Sequence, residues 1–363
     1  MQNAIVLLCL LLAGCAAPSA IPAPVATRNA LRVVDINVWS GLDYQGYVTM
    51  GEYETPAVRE KRYQALLAQL KDLDPDIIGV HEANKLPGYI RRLAGDLGYD
   101  AVFHVGIGGL RAGPVGLPWN LREGDAILAK RDLGLVPAGR RQLSGGPVGS
   151  FFTCHFEDAT QVVAARISLE TTPVFLFSTH WHASVLDTPN MRAKAEALAK
   201  TAGELEAAME AVDKGKQWRM DEARKTLAFI REVAGDAPVI LMGDFNATEE
   251  TGEIRALLDH GLVDTFGHTN PDGKGATWDS RANRNIIHHY LEPGMPASGG
   301  LVEKLNWIQE SIPQRIDYIF AGPSKVLNAK GMSVKSSRVV LNKTVDGVHA
   351  SDHFGVLSEI VFR

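Results

Sequence analysis

The stretch Val239-Ile240-Leu241-Met242-Gly243-Asp244-Phe245-Asn246 decides how the chain folds. Four consecutive apolar residues are typical of a strand buried on both faces, and they are followed by a carboxylate and an amide. Successive side chains of an extended backbone point to opposite faces. We therefore expect Asp244 and Asn246 to share a face while the Phe245 ring anchors in the core. The stretch predicts a buried strand that delivers two polar side chains at its end.

Other apolar runs along the chain have the same form. Predicted strands occupy residues 31–39, 76–82, 125–129, 162–169, 174–180, 315–320 and 354–357. A helix is predicted from Pro56, and residues 191–230, rich in Ala, Leu, Glu and Lys, predict two helices broken near Gly215. Continuous apolar strands that alternate with amphipathic helices predict an α/β fold whose sheets are buried under helices.

Most of these strands carry a polar side chain at or just beyond one end. Those side chains are Asn37, Glu82, His180, Asp244, Asn246, Asp317, Asp352 and His353. Taken singly, such residues have ordinary explanations, since an asparagine after a strand is usually a turn former. Asp317 is flanked by apolar residues, however, and a buried carboxylate needs a partner such as an imidazole. Asp352 and His353 place a carboxylate beside a titratable base, which favours metal binding and proton transfer.

These residues lie in motifs that resemble, in the same order, those of the endonuclease/exonuclease/phosphatase superfamily. The motifs are Asn37-Val38-Trp39, His81-Glu82, Ser178-Thr179-His180, Gly243-Asp244-Phe245-Asn246-Ala247, Arg315-Ile316-Asp317-Tyr318-Ile319-Phe320 and Ser351-Asp352-His353-Phe354-Gly355-Val356. The resemblance spans residues 31–362 and implies a four-layer αββα sandwich, in which two packed mixed β-sheets are flanked by helices. The superfamily includes deoxyribonucleases, abasic-site endonucleases, inositol-polyphosphate phosphatases and neutral sphingomyelinases.

The resemblance implies a metal end of the site. Glu82 is the expected carboxylate ligand of Mg²⁺, the Asn37 amide is its partner, and Asp352 assists. Hard oxygen ligands of this kind suit Mg²⁺, with Mn²⁺ as the alternative. His81 departs from the family pattern, which often has a glutamine before the metal-binding glutamate, but the departure leaves Glu82 in place.

The resemblance also implies a reacting end. His353 matches the base that activates the attacking water, and Asp317 matches the carboxylate that orients this base. Asp244 and Asn246 would position the water and the scissile phosphate, while His180 would donate to a non-bridging oxygen as charge develops. Whether Asp244 or His353 takes the proton of the water stays open at this point.

The substrate is expected to be chosen by two polar stretches, residues 106–120 and 277–307. The second contains Thr277-Trp278-Asp279, which faintly resembles neutral sphingomyelinase-like members, and His288-His289, for which we favour an exposed loop role. The formal net charge of -5 gives no general attraction to nucleic acid. We therefore favour a phospholipid, a phospho-sugar or another small phosphodiester.

Two alternatives to this prediction remain. The first is an exported endonuclease or exonuclease that acts on DNA or RNA. The second is a catalytically inactive binding module displayed on the cell surface, against which the retention of Glu82, Asp244, Asn246 and His353 argues.

The first residues predict export to the bacterial cell envelope. Residues 5–13 form an apolar run too short to span a bilayer, and Leu12-Ala13-Gly14-Cys15 resembles a lipobox, whose cysteine is lipid-modified after cleavage. We expect a signal peptide at residues 1–14, a lipid-anchored tether at 15–30 and one monomeric catalytic domain at 31–363. An ordinary signal peptide is the alternative. With Cys9 removed and Cys15 acylated, Cys154 would be the remaining cysteine, so no intramolecular disulfide is expected.

Overall fold

The computed structural model describes residues 28–42, 51–108, 111–112, 115–116, 120–145, 160–169, 172–322 and 332–362. The predicted signal peptide, the lipobox and Cys154 lie outside these residues. Within the described residues, no helix combines the length and the apolar character that a membrane crossing requires.

Helices lie between several of the strands, as the sequence predicts, whereas the described part of residues 99–180 contains seven strands and no α-helix. The strands are β1 (Ala30–Asn37), β2 (Ile77–Ala83), β3 (Tyr99–Gly108), β4 (Arg111–Ala112), β5 (Val115–Gly116), β6 (Arg122–Lys130), β7 (Val136–Gln142), β8 (Gln161–Leu169), β9 (Thr172–His180), β10 (Val239–Asp244), β11 (Val263–Asp264), β12 (Asp317–Gly322), β13 (Met332–Val340) and β14 (Gly355–Phe362). The α-helices are α1 (Pro56–Leu73), α2 (Gly88–Leu97), α3 (Pro189–Leu198), α4 (Ala202–Ala234), α5 (Gly252–Asp259), α6 (Thr265–Thr269), α7 (Arg284–Ile286) and α8 (Leu301–Glu310). A 3-10 helix spans Arg131–Leu133, and a π-helix spans Ile287–Leu291.

Two six-stranded mixed sheets form the centre of the molecule. The first has the order β13-β14-β1-β2-β6-β3, and the second has the order β11-β12-β10-β9-β8-β7. Strands β1 and β2 are parallel in the first sheet, as β9 and β10 are in the second, while their other neighbours are antiparallel. The α/β, αββα sandwich expected from the sequence is confirmed.

Apolar side chains separate the layers of the sandwich. Val33, Ile127, Leu176, Met242 and Ile319 belong to a core that fills the space between the two sheets. Residues of α1 and α2 pack with the outer face of the first sheet, and residues of α4 and α5 pack with that of the second. Central strands such as β2, β10 and β12 are thus buried on both faces, which explains the continuous apolar runs in the sequence.

The break between α3 and α4 lies at residues 199–201, so the predicted break near Gly215 is wrong. Thr201 begins α4 because its side chain accepts a hydrogen bond from the backbone N–H of Glu204, three residues on. Gly215 instead lies inside the helix, against the segment that contains Ser184. A Cβ at Gly215 would lie 2.7 Å from the Cβ of Ser184, so this glycine permits a close approach of the two segments.

We expect Gly215→Ala to destabilise the protein, although alanine is the better helix former by about 1 kcal/mol. The clash with Ser184 reverses the sign, and overpacking of this kind costs about 1–3 kcal/mol. Gly203→Ala in the same helix is the matched control, because no heavy atom lies within 4 Å of its added Cβ. Urea unfolding midpoints would fall for Gly215→Ala and stay level or rise for Gly203→Ala. A rise in both would contradict the packing argument.

Candidate active site

The predicted site residues lie at one edge of the two sheets. Register places Asn37 opposite His81 in the first sheet, and Asp244 beside both His180 and Asp317 in the second. Side chains alternate along a strand, and Asp244 and Asp317 are each two residues from a member of the core between the sheets. The polar side chains therefore lie between the two sheets, at the edge where the apolar core ends.

The Asn37 amide links the two carboxylates nearest to it. Its Nδ2 donates to Glu82 Oε1 and to Asp244 Oδ2, both at 2.9 Å, and its Oδ1 accepts from the backbone N–H of Trp39. Ser40 donates its backbone N–H to Glu82 Oε2 at 3.1 Å. In this arrangement Asn37 orients Glu82 and Asp244, one from each sheet, and presents its nitrogen to them.

His353 and Asp317 form a buried pair. His353 Nδ1 lies 2.9 Å from Asp317 Oδ2, and Nε2 faces Asp244 Oδ2 at 3.7 Å. Burial lowers the pKa of His353, but the nearby carboxylates of Asp317 and Asp244 outweigh it and hold this pKa well above its ordinary value. The Thr277 hydroxyl accepts from the backbone N–H of Asp317 at 3.1 Å, which fixes the strand end that carries the carboxylate.

Asn246 and His180 lie between these two groups. Asn246 Nδ2 is 3.1 Å from His180 Nε2 and donates to the backbone oxygen of Trp181 at 3.0 Å. His180 Nε2 lies 3.6 Å from Asp244 Oδ2 and 4.0 Å from Glu82 Oε1. The structure thus brings both histidines and the carboxylates of Glu82, Asp244 and Asp317 into one cluster.

Three residues beside the cluster have left-handed backbone conformations. They are Trp39, Glu82 and Asn246, whose φ angles are 55°, 54° and 45°. The expectation of an extended backbone through Asn246 is therefore wrong, although Asp244 and Asn246 do line one cleft and Phe245 is fully buried. Non-glycine residues adopt positive φ at a cost, and they concentrate at sites where the surrounding structure holds a side chain in a functional position.

Asp352 reaches the cleft from the turn before β14. Its Oδ2 accepts from the Tyr290 hydroxyl at 3.2 Å and its Oδ1 accepts from the Ser351 hydroxyl at 3.1 Å. The Asn283 amide donates to the backbone oxygens of Ser351 and Asp352, which fixes this turn. Burial raises the pKa of Asp352 to about 7, against the lowering effect of His353.

The sequence did not predict the buried group next to Glu82, which consists of His81, Asp35 and Asp125. His81 is fully buried, with Nε2 2.7 Å from Asp35 Oδ1 and Nδ1 3.2 Å from Asp125 Oδ1. Burial lowers the pKa of His81, but Asp35 and Asp125 raise it to about 10. The available signal was Asp35 within the mainly apolar strand β1 and Asp125 at the start of the apolar run 125–129, because a carboxylate in such a position needs a buried partner.

The cluster opens into a cleft of about 340 Å³. Its lining includes Glu82, His180, Asp244, Asn246, Asp352 and His353, while Asn37 and Asp317 are fully buried behind them. Gly106 and Ile107 lie on one wall, and Trp278, Tyr290 and Glu310 lie on another. Both stretches expected to choose the substrate thus reach the cleft, although residues 109–110, 113–114 and 117–119 of the first lie outside the described part.

The second stretch is helical at several points rather than one long loop, with α7, the π-helix and the start of α8 inside it. His288 is exposed and pairs with Glu292 at 2.8 Å, as an exposed role predicts. His289 is half-buried, and its ring centroid lies 5.1 Å from that of Trp39 and 5.2 Å from that of Tyr53. The histidines therefore differ in environment, and His289 belongs to an aromatic group next to the cleft.

The donor set fits a divalent cation. Glu82, His180 and Asp244 offer ligand atoms that all lie within 4.8 Å of one another, as do Asp244, Asp317 and His353. Two carboxylates held by one amide, with Asp352 on the same cleft, supply the oxygen-rich environment that Mg²⁺ or Mn²⁺ prefers. Buried Asp317 Oδ1 has no hydrogen-bond partner among the described residues, so this negative cluster lacks part of its compensation.

Comparisons with known proteins identify a family and agree with the fold. Residues 36–353 match the model of the Endonuclease/Exonuclease/phosphatase family. An endonuclease/exonuclease/phosphatase from Bacteroides vulgatus has a TM-score of 0.57 at 15% identity, covering 93% of this chain and 100% of that one. A mannosyl-6-phosphatase from Bacteroides thetaiotaomicron has a TM-score of 0.55 at 18% identity, with 92% and 100% covered.

D. rerio TDP2 in complex with a single-strand DNA product is also similar. Its TM-score is 0.56 at 16% identity, and the match covers 92% of this chain and 99% of that one. No curated protein sequence matches the chain. Identities this low show a shared fold and leave the substrate to be argued from the site itself.

Proposed function

The chain belongs to the endonuclease/exonuclease/phosphatase family, whose members are hydrolases of phosphate esters, and we propose that it is a Mg²⁺-dependent phosphoesterase of the bacterial cell envelope. The observation that carries the proposal is the meeting of Glu82, Asp244 and His353 in one cleft, to which β2, β10 and the turn before β14 deliver them. We favour a phospholipid, a phospho-sugar or another small phosphodiester as the substrate.

The residues divide the work by position. Glu82 and Asp244, oriented by Asn37, would hold the cation, with Asp352 on the same cleft. A bound divalent cation would neutralise negative charge on the phosphate and so make in-line attack easier. Holding the reacting groups in place is the protein's main contribution to such a reaction.

Proton transfer and phosphate binding fall to the other residues. Asp317 holds Nδ1 of His353, so Nε2 is the ring nitrogen left to exchange a proton with the attacking water. Asn246 and His180 lie on the same cleft and would donate to phosphate oxygens. Asp244 contacts both groups and is the competing candidate for the base.

Removal of divalent metal tests the proposal directly. We expect hydrolysis of bis-p-nitrophenyl phosphate to fall to background in EDTA and to return with Mg²⁺ or Mn²⁺. In Glu82→Gln the half-saturating Mg²⁺ concentration should rise about 100-fold, since losing even an outer partner of a metal ligand costs about 10- to 100-fold in affinity. Glu206→Gln, an exposed residue of α4, is the matched control. Full activity of the EDTA-treated protein would overturn metal dependence.

The substrate class separates the main proposal from the nuclease alternative. Plasmid DNA, RNA, sphingomyelin vesicles, inositol phosphates and hexose phosphates would be assayed side by side with Mg²⁺. We expect turnover of small or lipid esters to exceed nucleic-acid cleavage. The negative net charge of -5 supports this order, because nucleic-acid affinity rests on cationic phosphate contacts. Predominant cleavage of DNA or RNA would make the exported nuclease the better description.

Anchoring at the envelope is proposed from Cys15 alone, which lies outside the described residues. We expect the full chain to fractionate with membranes when expressed in a bacterium that processes lipoproteins. Cys15→Ser should move it to the soluble exported fraction, because the thiol carries the lipid. A Cys15→Ser protein still retained on membranes would rule out lipidation as the basis of anchoring.

A further inference from the structure

Glu310 lines the cleft with a carboxylate, and no structural role explains its position there. It is the last residue of α8, where the partial negative charge of the helix end disfavours an acidic side chain. Burial raises the pKa of Glu310 to about 8 against the lowering effect of His353, and the nearby carboxylates of Asp352 and Asp244 add to the rise. Among the described residues its side chain has no hydrogen-bond or ion-pair partner. A residue that breaks local rules without compensation marks a functional position.

A hydrogen bond and aromatic packing hold the wall around Glu310 in place. The indole N–H of Trp278 donates to the backbone oxygen of Glu310 at 2.9 Å, which fastens the end of α8 to this wall. Trp278 packs edge-on against both His353 and Tyr290, with ring centroids 5.1 and 5.3 Å apart. Glu310 is therefore held beside the reacting end of the site.

The chemistry of the cleft restricts what Glu310 can bind. Six lining residues are acidic, namely Glu82, Glu123, Asp125, Asp244, Glu310 and Asp352. Even with a divalent cation bound, further negative charge next to Glu310 would be repelled. This disfavours a polyanionic leaving group such as a nucleic-acid strand or an inositol polyphosphate.

A quaternary ammonium group also fits poorly. Such cations are recognised by exposed aromatic faces. Among the described lining residues, Trp39, Trp181 and Trp278 are only 5%, 1% and 5% exposed, and the guanidinium of Arg62 already lies 4.6 Å from the Trp39 ring centroid. Among the described tryptophan and tyrosine residues that line the cleft, Tyr290 is the one that is half-buried and not fully buried. One carboxylate and one tyrosine ring suit hydroxyl groups carried on a ring.

We propose that Glu310 is a specificity-determining residue that binds the hydroxyl groups of an uncharged polyhydroxylated leaving group, a sugar or a polyol, in the substrate of this site. The proposal rests on the proposed phosphoesterase function and narrows its substrate. The ester would carry a single phosphate, bound at the metal end, with its hydroxylated part against Glu310 and Tyr290.

The test compares the parent protein with Glu310→Ala and Glu310→Gln on a hexose 6-phosphate and on p-nitrophenyl phosphate, which has no hydroxyl groups to bind. We expect Glu310→Ala to raise KM for the hexose 6-phosphate roughly tenfold, as for the loss of a hydrogen bond to a sugar hydroxyl group. Turnover of p-nitrophenyl phosphate should change less than about threefold. Glu310→Gln should fall between the parent and Glu310→Ala, because the amide oxygen still accepts from a hydroxyl.

Two further measurements exclude other roles. A proton donor to the leaving group would show as a loss of kcat that is equal in Glu310→Gln and Glu310→Ala, and that result would overturn the proposal. A structural role would lower the melting temperature of both variants. We expect the melting temperature without substrate to stay level or rise, because the substitution removes an uncompensated carboxylate.

The outcomes also separate this proposal from the one on which it rests. Hydrolysis of p-nitrophenyl phosphate without hydrolysis of the hexose 6-phosphate, and without competition by the free hexose, would overturn only the role of Glu310. A KM dependence on Glu310 for phosphocholine in place of the hexose ester would make a cationic group its ligand. Failure to hydrolyse any ester with Mg²⁺ or Mn²⁺ would overturn the phosphoesterase function itself.

Discussion

His353→Ala is expected to lower kcat for bis-p-nitrophenyl phosphate by about 10³-fold, within the range of 10²- to 10⁴-fold that a positioned acid–base group contributes. The reason is geometric. Asp317 holds Nδ1 of His353 at 2.9 Å, so the ring presents Nε2 toward Asp244 at 3.7 Å and has a fixed direction for proton exchange. Steady-state kinetics at saturating Mg²⁺ would measure the loss, with His260→Ala, an exposed histidine, as the control.

Asp317→Asn should share part of this loss, roughly 10²-fold or more, because an amide can favour the wrong tautomer of His353. The double variant should be little worse than His353→Ala, since the two residues act as one unit. His353→Ala within tenfold of the parent, together with a larger loss in Asp244→Asn, would instead assign the base to Asp244. The sequence left open whether Asp244 or His353 accepts the proton of the attacking water.

The sequence predicted which residues meet, because strand periodicity and register are local properties. The apolar runs around Asp244, His180 and Asp317 fix which face each strand turns inward. Neighbouring strands of a sheet then bring those positions to one edge. The arrangement of the two sheets could not be predicted from any single strand. It was predicted from the resemblance of the ordered motifs to a known family.

The features that escaped prediction depend on contacts between distant parts of the chain. The left-handed φ of Asn246 goes with hydrogen bonds to the Trp181 backbone and to Asp244, and the place of Gly215 follows from Ser184. Glu310 is unusual only because a helix end meets the cleft. Such pairings are tertiary, and propensity along the sequence does not contain them.

His81→Ala is expected to reduce the free energy of unfolding by about 3–5 kcal/mol, the cost of breaking a buried ion pair by removing one partner. His81 lies between Asp35 Oδ1 at 2.7 Å and Asp125 Oδ1 at 3.2 Å, with no solvent contact. The substitution would leave two buried carboxylates without the imidazole that neutralises them. Chemical denaturation in urea, with slopes checked for constancy, would measure the loss.

His81→Gln keeps this prediction testable even where His81→Ala fails to fold. An amide retains donors for the two carboxylates but carries no charge, so we expect a smaller loss than for alanine. The double variant Asp35→Asn/His81→Gln should recover stability relative to His81→Gln, because it removes one uncompensated carboxylate. Additive effects of the two substitutions would contradict a direct interaction between Asp35 and His81.

The charge on His81 also makes the stability of the metal-free protein depend on pH. Burial lowers the pKa of His81, but Asp35 and Asp125 raise it from 6.5 in the unfolded chain to about 10 in the folded protein. A group whose pKa rises on folding stabilises fully below its unfolded value, and this contribution disappears as the pH rises through the folded value. Unfolding midpoints in EDTA should therefore fall between pH 6.5 and 10 in the parent. They should fall less in His81→Gln, and an equal decline in both proteins would show that His81 carries no charge in the folded state.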